Sequence, residues 1–378
     1  MNIAYIANAR IPTEKAYGYQ IAKMCEAFAS AGHDLTLIAP TRTNNIGENL
    51  HEYYGVSNNF KLIYLKSHDW SWLRRFIGEY YFYLNSIAFF MKCFFLKLDK
   101  SATVYTRNPE LAWLFAKRGY RTFFECHQMP NKKSWLFNFF IKPVTGIIAI
   151  TQGLKSDIVK RYDYPSEKIL VAPDGVDLET FDIDISREDA RQKLGLPIDK
   201  KITLYTGHLY TWKGVDTLAQ AAASLPPDTL VYVVGGTKEE IKLFKQRNSD
   251  TSRIINVAAR PRNEIAIWLK AADVLILPNS SKEAISEKYT SPLKLFEYMA
   301  SGTPIIASNL PSLREIIDDN LATLYAADTP LDLNEKINYV LQNPALVLTL
   351  ANKARQSAKT YSWKNRAAII ISKIYTAT

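Results

Sequence analysis

Lys213 and Glu297 head the residues whose types and spacing could do chemistry. Lys213 lies in GHLYTWKGVDTL, Gly207 to Leu218, where Gly207 follows an apolar run and Lys213-Gly214 precedes a helical one. A glycine lets backbone approach a ligand closely, and a lysine is a point charge for phosphate. Alone the pattern is weak, because many strand-to-helix turns hold Gly and Lys. Glu297 lies in KYTSPLKLFEYMASGTPIIAS, Lys288 to Ser308. Ser291 suits an N-cap, Pro292 the first helical turn, and Gly302 the left-handed residue that ends a helix. The predicted helix, about three turns long, puts Leu293, Phe296 and Ala300, with Leu295 and Met299, on a broad apolar face and Lys294, Glu297 and Ser301 on another. Free amides at the mouth of such a helix, opening from a loop and packed on a parallel strand, are a ready site for a phosphate group. With both stretches in one domain the signal is stronger than either.

These residues need a frame that presents them at strand ends. The first half of the chain predicts strands near Ile3 to Ala7, Leu35 to Ala39, Lys61 to Leu65, Thr103 to Thr106, Thr122 to Glu125, Ile147 to Thr151 and Ile169 to Ala172. Helices fall between them at Tyr19 to Ser30, roughly Leu73 to Leu98, Pro109 to Lys117 and Gly153 to Arg161. A βαβ alternation implies a parallel sheet. After PDGVDLETFDIDISRED, polar, acidic and without strong periodicity, the alternation resumes. Strands at Ile202 to Thr206, Leu230 to Val234, Arg253 to Val257, Asp273 to Leu277, Pro304 to Ser308 and Ala322 to Tyr325 interleave with helices at Val215 to Ala223, Glu239 to Gln246, Asn263 to Ala271 and Pro292 to Ser301. Two helices, Asn343 to Lys359 and Ser362 to Tyr375, close the chain. The fold class is α/β: two doubly wound, Rossmann-like parallel-sheet domains with a boundary near Pro173 to Lys201. Ligands of open α/β sheets lie beyond the carboxyl ends of the strands. Asn8 to Gly18, His127, Gly207 to Gly214, Gly235-Gly236 and the loop before Glu297 all follow strands.

A chain of 378 residues is too long for one ordinary core, and its 47% hydrophobic content makes it globular throughout. Cys25, Cys93 and Cys126 lack CxxC spacing, which supports neither a disulfide framework nor a zinc site and points to a reducing compartment. MNIAYIANAR enters a strand at once, without an apolar signal core, so a cytoplasmic protein is expected. The net charge of +10 is uneven, since residues 61–142 hold 14 Lys or Arg against 5 Asp or Glu. That region also carries the aromatic runs WSWLRRFIGEYYFYLNSIAFFMKCFFLKLDK and KKSWLFNFFIK. Its longest apolar portion, Tyr80 to Leu96, is interrupted by Asn85, Ser86 and Lys92 and falls short of the roughly 20 residues of a spanning helix. Two main readings stand open. One is a core helix pair with solvated basic flanks; the other is an interfacial helix and loop on anionic lipid, touching it through Trp70, Trp72, Arg74, Arg75, Lys132, Lys133 and Trp135. Trp and Phe beside Lys and Arg, with no nucleic-acid motif, disfavour a nucleic-acid patch.

GHLYTWKG followed by SPLKLFEYMASGTPIIAS resembles the donor half of the family 4 retaining glycosyltransferases of GT-B fold, whose usual pattern is GRLxxxKG and then EGFGLPxLEAMAxGxPVI. PDGVDLETF is similar to the PNGVDxxxF that closes the family's first domain, AGHDLTLIAP to its GHEVTVxT second strand, and YSWKNRA to the terminal helix that crosses back. The pieces keep the family's order and spacing over nearly the whole chain. The resemblance implies an acceptor-binding domain over 1–174, joined by a C-terminal helix over 361–378, and a donor-binding domain over 175–360. It implies catalytic parts for His127, which matches the His contacting the donor sugar near the reacting carbon, and for Lys213 on the donor diphosphate. It further implies donor contacts from Gly18 in a glycine loop near the phosphate, from Gly207, from Glu297 on the ribose hydroxyls, and from the amides of Thr290, Ser291 and Leu293. A core histidine satisfied by backbone is the competing reading of His127; a surface helix acid is that of Glu297.

The chain departs from the pattern twice. The Arg of GRL is His208, which cannot make the bidentate guanidinium contact to phosphate. The first Glu of the family's paired acids, which contacts the donor sugar, falls on Tyr289, where backbone and Tyr289 would replace that contact; Glu283 or Glu287 would fill the space only if the loop folds back. Arg260 lies where the nucleotide base would be held, as a stacking partner or as a plain surface residue. Asp182-Ile-Asp184 spells the DxD of metal-dependent transferases of another fold, but it sits between domains rather than at a strand end, so no metal or other cofactor is expected. The implied reaction takes a UDP- or GDP-sugar and a hydroxyl on a glycan or lipid-linked acceptor, in the cleft between the domains, with no protein nucleophile. The implied place is the cytoplasm, peripheral on the inner face of the plasma membrane. Two alternatives stay open: a GT-B isomerase using Glu14 and Glu125 as acid and base, and a non-catalytic nucleotide- or lipid-binding relative.

Overall fold

The computed structural model describes residues 1–248 and 250–377. The chain divides into a first unit, Met1–Pro173 with the terminal helix Trp363–Thr376, and a second unit, Asp174–Ser362. In the first unit the strands are β1 (Asn2–Ile6), β2 (Asp34–Pro40), β3 (Lys61–Leu65), β4 (Thr103–Thr106), β5 (Arg121–Cys126), β6 (Gly146–Ala149) and β7 (Ile169–Val171), in sheet order β3-β2-β1-β4-β5-β6-β7. In the second they are β8 (Lys201–Thr206), β9 (Thr229–Val234), β10 (Ile254–Val257), β11 (Val274–Leu277), β12 (Ile305–Ser308) and β13 (Thr323–Tyr325), in order β10-β9-β8-β11-β12-β13. Every paired strand is parallel, as the βαβ alternation requires. Strand order reverses between β1 and β4 in one sheet and between β8 and β11 in the other, which is where doubly wound sheets open a crevice for ligands.

All thirteen strands lie where the alternation places them, within a residue or two. The helices differ more. The single helix expected over Leu73 to Leu98 is broken: a helical turn at Arg74–Ile77 stops at Gly78, whose φ of 57° no continuing helix allows, and the helix restarts at Tyr81–Phe95. The stretch without strong periodicity nevertheless folds into Leu178–Phe181 and Arg187–Leu194, the second capped by the Ser186 hydroxyl on the Asp189 amide. Pro330–Gln342 is a full helix that the alternation missed, although Pro330 in its first turn and Leu333, Ile337 and Val340 at helical spacing mark it.

The second unit's sheet is covered on both faces. Leu204, Leu275, Leu277, Leu295, Phe296, Tyr298 and Met299 lie in one buried cluster, and Tyr205, Val215, Leu218, Val231, Val233 and Ile276 in the other. In the first unit the terminal helix buries Trp363, Arg366, Ala367, Ile370, Ile371 and Ile374, one stripe at helical spacing, and packs on Ala16–Ser30. Gly214 fixes the turn after β8: its φ is 69°, and a Cβ there would lie 1.8 Å from the Pro278 carbonyl oxygen. That approach draws the loop after β8 onto the loop after β11.

Candidate functional site

In the second unit the loops that follow β8 and β11 meet at the switch point, and most of the sequence-flagged donor residues sit on them. The helix carrying Glu297 spans Leu293–Ser301 and ends at Gly302 with φ 69°. Ser291 is not its cap. No side chain caps this helix, and the Ser291 hydroxyl instead accepts from the Asp174 amide at 2.9 Å. The polar face of this helix is not turned to solvent. Lys294, Glu297 and Ser301 do share a face, yet all three are buried, along with every other residue from 294 to 301. Glu297 forms an ion pair with Arg262, whose guanidinium also lies 5.5 Å from the Phe181 ring. Arg260, two residues earlier, is tied by a 3.0 Å ion pair to Glu264 in the first turn of the helix that follows it.

Lys213 is half-buried at the end of the β8 loop, its ammonium 3.7 Å from the centroid of the Trp212 ring. Burial lowers its pKa to about 7. Trp212 stacks on Tyr210 and Tyr210 on His208, with centroids 6.4 and 5.0 Å apart. His208 does not offer a free cation here. Its Nδ1 lies 2.9 and 3.1 Å from the two carboxylate oxygens of Glu240, one of which also accepts from the Leu209 amide. Tyr289 ends a turn of π-helix over Ile285–Tyr289 and is 3% exposed, packed in the core and not open at the loop surface. Thr290 beside it is buried and Leu293 half-buried. Neither acid suggested as a stand-in fills the gap freely: Glu283 accepts from Thr211 at 3.3 Å, and Glu287 pairs with Lys288 at 3.8 Å. Asp182 of the DxD stretch is held by Arg355.

The first unit gathers a different set. Glu125 at the end of β5 is fully buried; its carboxylate accepts from Arg366 at 3.1 Å, from Gln20 at 3.2 Å, from Tyr105, and from His127 Nε2 at 2.5 Å. Burial would raise the Glu125 pKa, but Arg366, His127 and Arg107 outweigh it and hold the carboxyl well below its usual range. Burial and Arg107 lower His127 to about 4, so at neutral pH the ring is uncharged, with its proton on the Nε2 that faces Glu125. His127 is thus satisfied by a side chain, not by backbone as the competing reading had it. Gly18 lies inside the first turn of the helix Ala16–Ser30 rather than in a loop. The place of its missing Cβ is taken by the Tyr54 hydroxyl, 2.1 Å away, which bonds both the amide and the carbonyl of Thr13.

Lys294, Arg262 and Arg366 join the site from positions that the motifs do not mark. Lys294 and Glu297 stand three apart on a helix otherwise made for the core, and a second charged residue on that face was the available signal. Nothing local marks Arg262 or Arg366, whose partners lie far away in sequence.

The surface of the first unit tells against the core-helix-pair reading of its aromatic region. On Tyr81–Phe95 only Asn85, Phe89 and Cys93 are buried, while Phe76, Tyr80, Tyr83, Ile87, Phe94 and Phe95 are each at least half exposed. Trp72 is 61% and Trp135 79% exposed, and Arg74, Arg75, Lys132 and Lys133 are exposed among them, so this is no core helix pair. Trp70 is half-buried. No described helix is long and apolar enough to cross a membrane.

Two parallel, doubly wound units of this order define the GT-B class of fold. Solved structures similar over the full length of both chains include sucrose-phosphate synthase from Thermosynechococcus elongatus (TM-score 0.79, 18% identity) and Anabaena HepE in complex with UDP (0.74, 14%). The family model "Glycosyltransferase Family 4" matches residues 18–180 and "Glycosyl transferases group 1" matches 186–360. The chain belongs to the family 4 glycosyltransferases. Among curated relatives, D-inositol 3-phosphate glycosyltransferase of Xylanimonas cellulosilytica is 28% identical over 244 residues, a match covering 61% of this chain and 57% of that protein.

Proposed function

We propose that this protein is a retaining, metal-independent glycosyltransferase that moves a sugar from a nucleoside diphosphate sugar, with UDP or GDP as carrier, to a hydroxyl of a lipid-linked or cell-surface glycan precursor. The observation that carries this reading is the meeting, at the β8/β11 switch point, of a glycine turn ending in Lys213 with a helix mouth lined by Thr290, Ser291 and Leu293. Ammonium groups and backbone amides, fixed in place beforehand, would take the charge that develops on the departing diphosphate. In that reaction the bond from the anomeric carbon to the diphosphate breaks, the bond to the acceptor oxygen forms on the same face, and the acceptor proton passes to the leaving phosphate. Glu297 would accept from the ribose and His127 would face the donor sugar. The isomerase alternative loses support, since Glu125 is buried, ionised and fully engaged and Glu14 is paired with Arg10. A thermal-shift screen of UDP-, GDP- and ADP-sugars tests the donor site: a ligand at about 100 times its Kd adds roughly 2.7 kcal/mol. A flat response to all three would end this reading, and activity abolished by EDTA would end its metal independence.

The exposed aromatic and basic surface supports a second part of the proposal, peripheral attachment to the inner face of the plasma membrane. Trp72, Trp135 and Phe76 would sit among headgroups while Arg74, Arg75, Lys132 and Lys133 meet anionic lipid, each worth about 1 kcal/mol at low salt. The protein should therefore sediment with vesicles containing phosphatidylserine and not with neutral ones, and the Trp72→Ala, Trp135→Ala double variant should sediment less. Failure to bind anionic vesicles at low salt would refute this.

A further inference from the structure

Lys294 is more than nine-tenths buried, yet its Nζ makes no hydrogen bond. An ammonium carries three donors, and leaving it desolvated and unpaired is costly enough that the position calls for a reason. The side chain runs from the first turn of Leu293–Ser301 to the end of β8, where its Nζ lies 3.8 Å from the centroid of the Tyr205 ring. There it abuts Gly207, at which a Cβ would come within 3.0 Å of the same Nζ. The charged and titratable groups around it are Glu297 on its own helix, Tyr205 on β8 and Lys213 on the following loop. Its pKa is pushed well down, first by burial and then by the charge of Lys213, and only partly restored by Glu297. A lysine from the first turn of a helix and one from the loop after β8 thus lie close enough for the charge of one to act on the other, with Glu297 as the counter-charge. His208, at the position where the resemblance expects an arginine, is meanwhile held by Glu240.

We propose that Lys294, and not His208, is the second cation of the diphosphate site, so that the donor's two phosphates are held between the ammonium groups of Lys294 and Lys213. The assignment rests on the donor-site reading above and adds to it the residue that stands in for the missing guanidinium. A diphosphate arriving there supplies further counter-charge, and each lysine that is neutral in the free protein takes up a proton as it binds. With no Cβ, Gly207 leaves room for the Lys294 ammonium at the end of β8. Met at position 294 keeps the length of the side chain and removes only a buried unpaired charge, so folding should survive and the unliganded thermal midpoint should hold or rise.

The experiment is titration calorimetry on the full chain, wild type and Lys294→Met, with UDP, GDP, inorganic pyrophosphate and uridine. Measurements at pH 8 use two buffers of different ionisation heat. Wild type is expected to bind a nucleoside diphosphate and pyrophosphate with net proton uptake. Lys294→Met should bind both at least tenfold more weakly and take up fewer protons, with uridine binding unchanged. Equal pyrophosphate affinity in the two proteins would overturn the role of Lys294 and leave the donor site standing. A lower thermal midpoint with uridine and UDP weakened alike would also overturn it, by making Lys294 a structural residue. Wild type that binds neither pyrophosphate nor any nucleoside diphosphate would overturn the donor-site reading itself.

Discussion

Replacing Lys213 with methionine is expected to lower kcat/KM for the donor sugar by roughly two to three orders of magnitude, the range seen when one preorganised group is removed from a developing charge. Lys213 is set by its surroundings and not by an ion pair: it lies against the Trp212 ring, and the Trp212 carbonyl accepts from the Ser280 amide at 3.0 Å and the Ser286 hydroxyl at 3.1 Å. The loop after β8 is therefore fastened to the loop after β11 just beside the ammonium, and truncating Lys213 leaves that fastening whole. The thermal midpoint of the unliganded protein should hardly move.

The same residue sets a pH signature. Burial brings the Lys213 pKa to about 7 in the free protein, and the charged form is the one that would meet phosphate. As pH rises through that value the free protein loses the cation, so log kcat/KM should fall with a slope near −1 above about pH 7, since this parameter reports groups of the free enzyme. Lys213→Met should change that limb, removing the part that Lys213 sets. Activity within about threefold of wild type, or an unchanged alkaline limb in the variant, would remove Lys213 from the diphosphate site.

Much of the fold was legible because strands fully buried in parallel sheets are short apolar, β-branched runs, and such runs separate cleanly from helices. That pattern located the buried strands, and β3, though largely exposed, showed the same apolar run. Helices were legible only where a long apolar stripe or a proline marked them. The break at Gly78 was hidden because the residues on either side are equally aromatic, so periodicity carried no sign of the interruption. The site was legible in its backbone devices and less so in its side chains. Gly207, Gly214 and the helix mouth at Leu293 can be read from local geometry, whereas the pairing of Glu297 with Arg262 and of His208 with Glu240 joins elements that meet only after folding. Ser291 shows the same limit: its type and position fit a cap, but a longer-range partner, the Asp174 amide, takes its oxygen. Buried charge was the least visible of all, since Lys294 is spelled like any solvated lysine on a helix.

Glu125→Ala should destabilise the first unit by about 3–5 kcal/mol, the usual result of breaking a buried ion pair from one side. The Arg366 guanidinium is 3% exposed; its Nε donates to the Pro173 carbonyl at 2.7 Å and one terminal nitrogen to Glu125, so losing the carboxylate takes a counter-charge away from a buried cation. For a unit of this size each kcal/mol moves the midpoint by roughly 2–4 °C, so a fall on the order of 10 °C is expected. The sign with pH follows from two depressed groups. His127, lowered to about 4, stays neutral in the folded protein while its unfolded counterpart takes a proton near pH 6.5, so its contribution is complete above that value and drains away as pH falls toward 4. Glu125, held below the usual carboxylate range, contributes above about pH 4.3, its unfolded value, and is lost as pH falls through the folded one. Wild type should accordingly weaken on acidification from about pH 6.5 downward, and Glu125→Ala should weaken less steeply below pH 4. Removing both charges in Glu125→Ala, Arg366→Met should recover much of the lost stability, with a coupling of about 0.5–3 kcal/mol in the double-mutant cycle. Transfer activity should stay low in that double variant, because His127 would still lack the acceptor that fixes its ring. A single variant as stable as wild type, or a cycle with no coupling, would show that Arg366 and Glu125 do not act as a pair.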